Sequence, residues 1–253
     1  MGSERRGSSA SASTRGFPPP NRLKTSALIP AYNEAGRIGE TVRAARALAG
    51  VSEVIVIDDG STDGTAEEAQ AAGADRVIRM AKNAGKGAAL CAGIEASDAQ
   101  VLLLLDGDIG GSASAAGALL EPVLADRADM TIAVPPPAGK SGGFGLAVRL
   151  ARWGIRRFTG RTMKAPLSGQ RALRTEIVER MGGLDRGFGV ETGLTIDALR
   201  MGYRVEEIPV VSLSHRTTGR SVSGFLHRGK QFASVARVLL ARTVWPRQRR
   251  GAP

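Results

Sequence analysis

Two carboxylates stand one residue apart directly after an apolar run. Residues 101–105 are one valine and four leucines, and Asp106-Gly107-Asp108 follows at once. Carboxylate oxygens are hard ligands of the kind that Mg²⁺ and Mn²⁺ prefer, and such ions also bind the phosphates of nucleotides. The pair therefore predicts a divalent-metal site that bridges to a diphosphate. The alternative is a solvated acidic turn that merely ends the strand.

A second carboxylate pair ends an apolar run nearer the N-terminus. Asp58 and Asp59 follow residues 53–57, and the segment from there to Thr65 consists of Gly, Ser, Thr and Asp. Such a turn, leading into a helix, suits a pocket for the base or ribose of a nucleotide. The alternative is an ordinary Asx turn followed by a helix N-cap.

These residues must be positioned by a chain that alternates short apolar runs with amphipathic segments. Strands are predicted at residues 26–30, 53–57, 76–79, 101–105, 130–134 and 203–211, and helices at 38–48, 64–72, 85–96, 144–158, 190–201 and 222–244. This alternation predicts an α/β fold with a mostly parallel sheet and helices on both faces. Ligands of such sheets bind at the carboxyl ends of the strands, where the loops after residues 29, 57 and 105 lie.

Composition and charge exclude several classes of protein. The 253 residues suit one domain with an appended element, and no apolar run reaches the roughly 18 residues that a membrane-spanning helix needs. Residues 1–22 are rich in Ser, Gly, Arg and Pro without an apolar stretch, which predicts a disordered basic tail and a cytoplasmic location.

The net charge of +11 is concentrated in two blocks. Residues 130–175 and 208–253 each contain nine Lys or Arg and no Asp or Glu. Aromatic residues make up only 4% of the chain and no nucleic-acid-binding motif is present, so no specific nucleic-acid partner is expected. Arg149, Arg152 and Arg156 would share one helix face, and the arginines of the first block are expected to line a pocket for an anionic acceptor. The alternative is that they only solubilise a helix.

Four motifs occur together in the first half of the chain. They are Pro30-Ala-Tyr-Asn-Glu34, Asp58-Asp-Gly-Ser-Thr-Asp-Gly-Thr65, Asn83-Ala-Gly-Lys-Gly-Ala-Ala-Leu90 and Asp106-Gly-Asp108. In this order and spacing they resemble the nucleotide-sugar-binding half of the family 2 glycosyltransferases, over residues 25–134. The resemblance implies a GT-A fold in which Asp106 and Asp108 form a DxD site for Mg²⁺ or Mn²⁺. It also implies that the donor nucleotide is bound by Pro30, Ala31, Glu34, Asp59, Lys86, Asp106 and Gly107. Taken alone, Lys86 could equally be a solvent-facing helix residue.

The second half carries a further set of motifs. Segments 166–171, 187–197 and 214–216 resemble glucosyl-3-phosphoglycerate synthases and, more loosely, polyprenyl-phosphate sugar transferases. The resemblance implies catalytic roles for Glu191 and Asp108, and His215 as a third metal ligand. The residues expected at the acceptor or phosphate are Gly169, Arg171, Arg216 and Arg220, the last two because they lie in an acid-free basic segment that could neutralise a diphosphate. Taken alone, His215 could be a surface residue, and Glu191 could only favour the helix dipole.

The expected domain boundaries follow from these motifs. After the tail of residues 1–22, a GT-A domain is expected over residues 23–220, divided into a nucleotide-sugar half (25–134) and an acceptor half (135–220). A basic helix and tail would occupy residues 221–253. That helix either lies on an anionic bilayer as a peripheral membrane contact or packs on the domain or on the second subunit of a homodimer. Packing is the favoured alternative.

The expected function is metal-dependent transfer of a sugar, in the first place glucose, from a UDP-sugar to a small phosphorylated acceptor, as in glucosyl-3-phosphoglycerate synthesis. One rival keeps the fold but transfers from a UDP- or GDP-sugar to a polyprenyl phosphate. A rival of another class is a sugar-nucleotide-binding or nucleic-acid-binding protein without catalysis.

Overall fold

A computed structural model of the chain describes residues 23–136, 145–185, 187, 189–212 and 222–244, with the side chains of the last helix described at residues 232–243. The predicted tail at residues 1–22 lies outside the described residues, as do His215, Arg216 and Arg220.

The described residues form one seven-stranded sheet. Its strands are β1 (Thr25–Ala31), β2 (Glu53–Asp58), β3 (Arg76–Arg79), β4 (Val101–Leu104), β5 (Met130–Val134), β6 (Arg171–Arg174) and β7 (Val205–Pro209). Their order is β3-β2-β1-β4-β6-β5-β7. β6 runs antiparallel to both of its neighbours, and the other pairs are parallel. The prediction of a mostly parallel sheet is therefore confirmed.

The sequence did not predict β6. Arginines stand at both ends of this strand, so it lacks the apolar run that marks a buried strand. All four of its residues are nevertheless buried between β4 and β5. The two arginines are accommodated there because other parts of the chain supply partners for their guanidinium groups.

The helices lie on both faces of the sheet. They are α1 (Ile38–Arg46), α2 (Thr65–Ala71), α3 (Lys86–Ala96), α4 (Gly117–Leu124), α5 (Gly145–Thr159), α6 (Thr175–Met181), α7 (Val190–Arg200) and α8 (Val222–Val244), and a 3-10 helix at Gly110–Ala116 leads into α4. The six predicted helices are present, five of them with shifted ends and α8 with the predicted bounds, whereas α4 and α6 were missed. Both are short, and α4 contains Pro122, which is unfavourable inside a helix.

Successive side chains along each strand point to opposite faces of the sheet, so the apolar residues form two cores, one on each face. In β1, Ala27 and Ile29 point to the face covered by α1 and α4, whereas Leu28 points to the face covered by α3, α5 and α7. The central strands are thus buried on both sides, as their continuous apolar runs require. In the described part of the chain, no helix is both long and apolar enough to cross a lipid bilayer.

Candidate active site

The first two motif loops form one hydrogen-bonded unit at the carboxyl ends of β1 and β2. The amide of Asn33 donates to Ser61 Oγ at 2.9 Å, and the amide of Glu34 donates to Thr65 Oγ1 at 2.8 Å. The amide of Thr62 donates in return to Asn33 Oδ1 at 2.9 Å. Asn33 has a φ of 55°, a left-handed conformation that asparagine tolerates better than most residues. The Ser and Thr residues of the second motif therefore hold the first motif in place.

Asp59 fixes the loop that leads into α3. Its carboxylate is buried and accepts hydrogen bonds from the amides of Ala84 and Gly85, at 2.7 and 2.8 Å. The loop passes close to Gly60, where a Cβ atom would lie 2.6 Å from the carbonyl carbon of Lys82. Asp59 thus places the start of α3, a positioning role that the sequence did not reveal.

Lys86 joins the two halves of the chain. It is the first residue of α3, and its Nζ lies 2.5 Å from Asp106 Oδ1 and 2.9 Å from Glu191 Oε1. Burial by itself would lower the pKa of Lys86, but the two carboxylates outweigh it and the pKa is raised. The lysine therefore stays charged at neutral pH. Its side chain is 21% exposed, so the interpretation as a solvent-facing helix residue is wrong.

A residue of the acceptor half donates a hydrogen bond to the second carboxylate oxygen of Asp106. Gln170 Nε2 donates to Asp106 Oδ2 at 2.7 Å. Gly169 lies against the same group, because a Cβ atom there would be 2.7 Å from both carboxylate oxygens of Asp106 and would also collide with Lys86 Nζ. Gly169 was expected at the acceptor, and the structure shows that a side chain at this position would displace the Lys86–Asp106 pair. Gln170 was missed, since one glutamine in a loop carries no signal of its partner.

Arg171 does not lie where an acceptor could reach it. Its side chain is 1% exposed, its Nε donates to the carbonyl of Ser168 at 2.8 Å, and its Nη1 donates to Thr195 Oγ1 at 2.8 Å. Burial lowers the pKa of Arg171 to about 10, which leaves the group a cation at neutral pH. The expectation that Arg171 binds the acceptor is thus not supported, and the residue instead ties the loop before β6 to α7.

The Asp106-Gly-Asp108 turn packs on the first motif. A Cβ atom at Gly107 would lie 3.0 Å from Ala31 Cβ and 3.2 Å from the carbonyl oxygen of Pro30. Thr41, fully buried on α1, donates to the carbonyl of Gly107 at 2.9 Å and accepts from the amide of Gly110 at 2.8 Å. Thr41 therefore fixes the turn, although nothing in the sequence marked it.

Asp108 lines a polar cleft beside this turn. The cleft measures about 400 Å³, and Arg37 and Glu40 line its other side. Within the ranges that the structure describes, no three His, Cys, Asp or Glu side chains cluster closely enough to enclose an ion by themselves. The proposed third ligand, His215, lies outside those ranges, with Arg216 and Arg220.

The C-terminal helix packs on the acceptor half. Val235, Val238 and Leu239 of α8 are buried, with Leu239 against Gly154 of α5 and Val238 against Gly189. Arg242 donates to Asp185 Oδ2 at 2.6 Å and, through Nε, to Asp197 Oδ1 at 3.0 Å. The sequence favoured a helix that packs on the domain. The buried residues of α8 do pack in this way.

Replacing Arg242 by methionine is expected to lower the free energy of unfolding by about 2–4 kcal/mol, because Asp185 and Asp197 would lose their shared cation. Arg237→Met is the matched control, since it removes an exposed arginine from the same helix and should change stability by no more than about 0.5 kcal/mol. Urea denaturation of both variants measures the difference. If both variants lost the same free energy of unfolding, the contacts of Arg242 with Asp185 and Asp197 would contribute nothing specific to stability.

The chain is similar in sequence to known glycosyltransferases. The glycosyl transferase family 2 pattern matches residues 26–180. Glycosyltransferase AglJ of Haloferax volcanii is 33% identical over 191 residues, which cover 72% of this chain but only 60% of AglJ. Undecaprenyl-phosphate mannosyltransferase of Micrococcus luteus is 26% identical over 218 residues, covering 80% of this chain and 88% of that enzyme.

Solved structures show the same fold. Glucosyl-3-phosphoglycerate synthase from Mycobacterium tuberculosis, in complex with Mn²⁺, UDP and phosphoglyceric acid, superimposes with a TM-score of 0.73 and 26% identity, covering 89% of this chain and 80% of that one. Other structures of that synthase contain Mg²⁺ with UDP, or Mn²⁺ with UDP-glucose and phosphoglyceric acid. The expected GT-A fold is confirmed. The family pattern spans more than half of the chain and includes all four donor-half motifs, so this protein belongs to glycosyl transferase family 2.

Proposed function

We propose that the protein transfers a sugar from a UDP-sugar to an anionic, phosphorylated acceptor in a reaction that depends on a divalent metal. The observation that carries this proposal is the contact of Lys86 with both Asp106 and Glu191. It joins the DxD motif of the donor half to the buried carboxylate of the acceptor half. A protein that only bound a nucleotide would not need the second carboxylate at that point.

The donor set at the end of β4 fits Mg²⁺ or Mn²⁺. Asp106 and Asp108 offer hard oxygen ligands, and Mg²⁺ in nucleotide enzymes uses one or two carboxylates and completes its shell with water and substrate phosphates. His215 would add a third ligand. When bound, the ion would neutralise the charge that develops on the leaving diphosphate.

The residues of the chain have distinct parts in this reaction. Pro30, Ala31, Glu34 and Asp59 would form the nucleotide pocket beside the DxD turn. Lys86 orients the carboxylates of Asp106 and Glu191, because it contacts both and remains charged. Glu191 would accept the proton of an acceptor hydroxyl or orient the acceptor.

The first acceptor candidate is a small phosphorylated molecule such as phosphoglycerate, with UDP-glucose as donor. In support of this choice, the structural match covers 81% of the chain of the synthase that was solved with UDP-glucose and phosphoglyceric acid. The second candidate is a polyprenyl phosphate, which the undecaprenyl-phosphate transferases among the relatives favour. The two differ in chemistry. A phosphate nucleophile is already ionised at neutral pH, whereas a hydroxyl group gains from a general base.

Glu191→Gln separates these candidates. With a hydroxyl acceptor, kcat is expected to fall roughly 10²-fold while UDP binding stays nearly intact, the usual effect of removing a positioned base. Glu179→Gln, which neutralises an exposed glutamate of α6, is the control and should leave kcat unchanged. An unchanged kcat in Glu191→Gln would favour the polyprenyl phosphate, whose nucleophile needs no base, and would leave Glu191 as a structural partner of Lys86.

The proposed function is tested by a donor and acceptor screen. UDP-glucose, other UDP-sugars and GDP-sugars are each combined with phosphoglycerate or a polyprenyl phosphate, with Mg²⁺, Mn²⁺ or EDTA, and release of the nucleoside diphosphate is followed. We expect release from a UDP-sugar that requires both an acceptor and a metal. Metal-dependent UDP binding without release in any combination would favour the non-catalytic rival.

A further inference from the structure

The outer face of α5 combines large apolar side chains with arginines. Leu146 and Trp153 are 69% and 59% exposed, among the most exposed large apolar side chains of the described chain. Arg149, Arg156 and Arg157 are exposed as well, and at 100° per residue all five fall within about 100° of arc around the helix. The sequence placed the arginines of this helix in an acceptor pocket, but the structure puts these three on the outside.

The opposite side of α5 accounts for its packing. Ala151 and Ile155 are fully buried in the core, and Gly154 receives Leu239 of α8. Folding therefore uses the inner side of α5 and leaves Leu146 and Trp153 in water. An exposed tryptophan between arginines costs solubility without adding stability, which indicates a surface that contacts something else.

We propose that this face of α5 binds the surface of an anionic lipid bilayer. The helix contains four arginines and no acidic residue, so its partner must be negatively charged. Tryptophan settles at the level of the lipid headgroups, leucine inserts below it, and arginines contact the phosphates. α8, which packs against α5, continues the same character with an exposed Leu240 and Arg237 and contains no acidic residue.

Other occupants fit this face less well. A second copy in a two-fold contact would bring the arginines of both α5 helices together, and like charges repel. A nucleic acid would neutralise the arginines but would leave Leu146 without an apolar partner. A bilayer satisfies both kinds of side chain. It would also place the acceptor half near the membrane, because α5 packs against α7, the helix that carries Glu191.

Vesicle binding tests the proposal without donor or acceptor, so it stands independently of the proposed reaction. The full chain is sedimented with vesicles of phosphatidylcholine alone or mixed with phosphatidylglycerol. We expect binding to the mixed vesicles that weakens as salt is raised. Arg149→Gln with Arg156→Gln should weaken binding roughly 25-fold, about fivefold for each charge, and Trp153→Ser about tenfold.

A matched control separates this face from the net charge of the protein. Arg43→Gln with Arg127→Gln removes the same charge on the opposite face of the sheet and should change vesicle binding less than twofold. In a Trp245→Phe variant, Trp153 is the one remaining tryptophan, and its emission should shift to shorter wavelength on mixed vesicles. Thermal unfolding of each variant shows whether it is folded.

Four outcomes would overturn the proposal. They are equal binding to both kinds of vesicle, an equal loss in the control pair, no change in the Trp153 emission, and the absence of vesicle binding. A dimer that Trp153→Ser dissociates in the absence of lipid would assign the face to self-association, and binding to RNA but not to vesicles would assign it to nucleic acid.

Discussion

Replacing Asp108 by alanine is expected to lower kcat/KM by on the order of 10³-fold or more and to remove the dependence of UDP binding on Mg²⁺ or Mn²⁺. The reason is the position of this carboxylate, which follows β4 in the turn that Thr41 and the Pro30–Ala31 backbone hold against the first motif. Loss of one of two protein carboxylates would leave the ion and the leaving diphosphate poorly held. Calorimetric titration with UDP, with and without metal, measures the binding part.

Asp98→Ala is the matched control for Asp108. Asp98 precedes β4 as Asp108 follows it, its side chain is 79% exposed, and it pairs with Lys24 at the far end of the strand. This variant should retain metal-dependent UDP binding and full turnover. If Asp108→Ala kept the activity of the unaltered protein, or if the unaltered protein worked equally well in EDTA, the metal would have no part in the reaction.

Replacing Lys86 by methionine is expected to lower both stability and turnover. Asp106 and Glu191 contact the same nitrogen atom, so the variant would remove the cation that these two mostly buried carboxylates share. Breaking a buried pair in this way costs about 3–5 kcal/mol of unfolding free energy. Turnover should fall on the order of 10²-fold or more, because the two carboxylates would lose their orientation. Urea denaturation and steady-state kinetics measure the two effects.

Two further variants test the cause. Lys82→Met removes an exposed lysine four residues earlier and should alter neither stability nor turnover appreciably. Combining Lys86→Met with Glu191→Gln removes one of the two carboxylate charges that Lys86 would otherwise balance, so the double variant should be more stable than Lys86→Met alone. A double variant that is less stable by the sum of the two single losses would show that Lys86 and Glu191 do not interact.

The donor half could be predicted well because its signals are local. A buried strand is encoded by consecutive apolar residues such as those of β4, and the carboxylates follow at once in the chain, so strand and site are recognised together. The acceptor half was predicted less well. β6 carries arginines instead of an apolar run, and its antiparallel insertion between β4 and β5 depends on partners far away in the chain.

The sequence by itself determined the α/β alternation, the placement of the acidic motifs at the carboxyl ends of β1, β2 and β4, and the resemblance to the family. Only the tertiary structure decided that Lys86 bridges Asp106 and Glu191, that Arg171 is buried, and that the arginines of α5 face outwards. The physical reason is that periodicity reports the local conformation and the buried side of an element. The partner of a charged side chain depends instead on which distant elements pack against it. The residues next to an arginine in the sequence therefore do not reveal whether that arginine is buried or exposed.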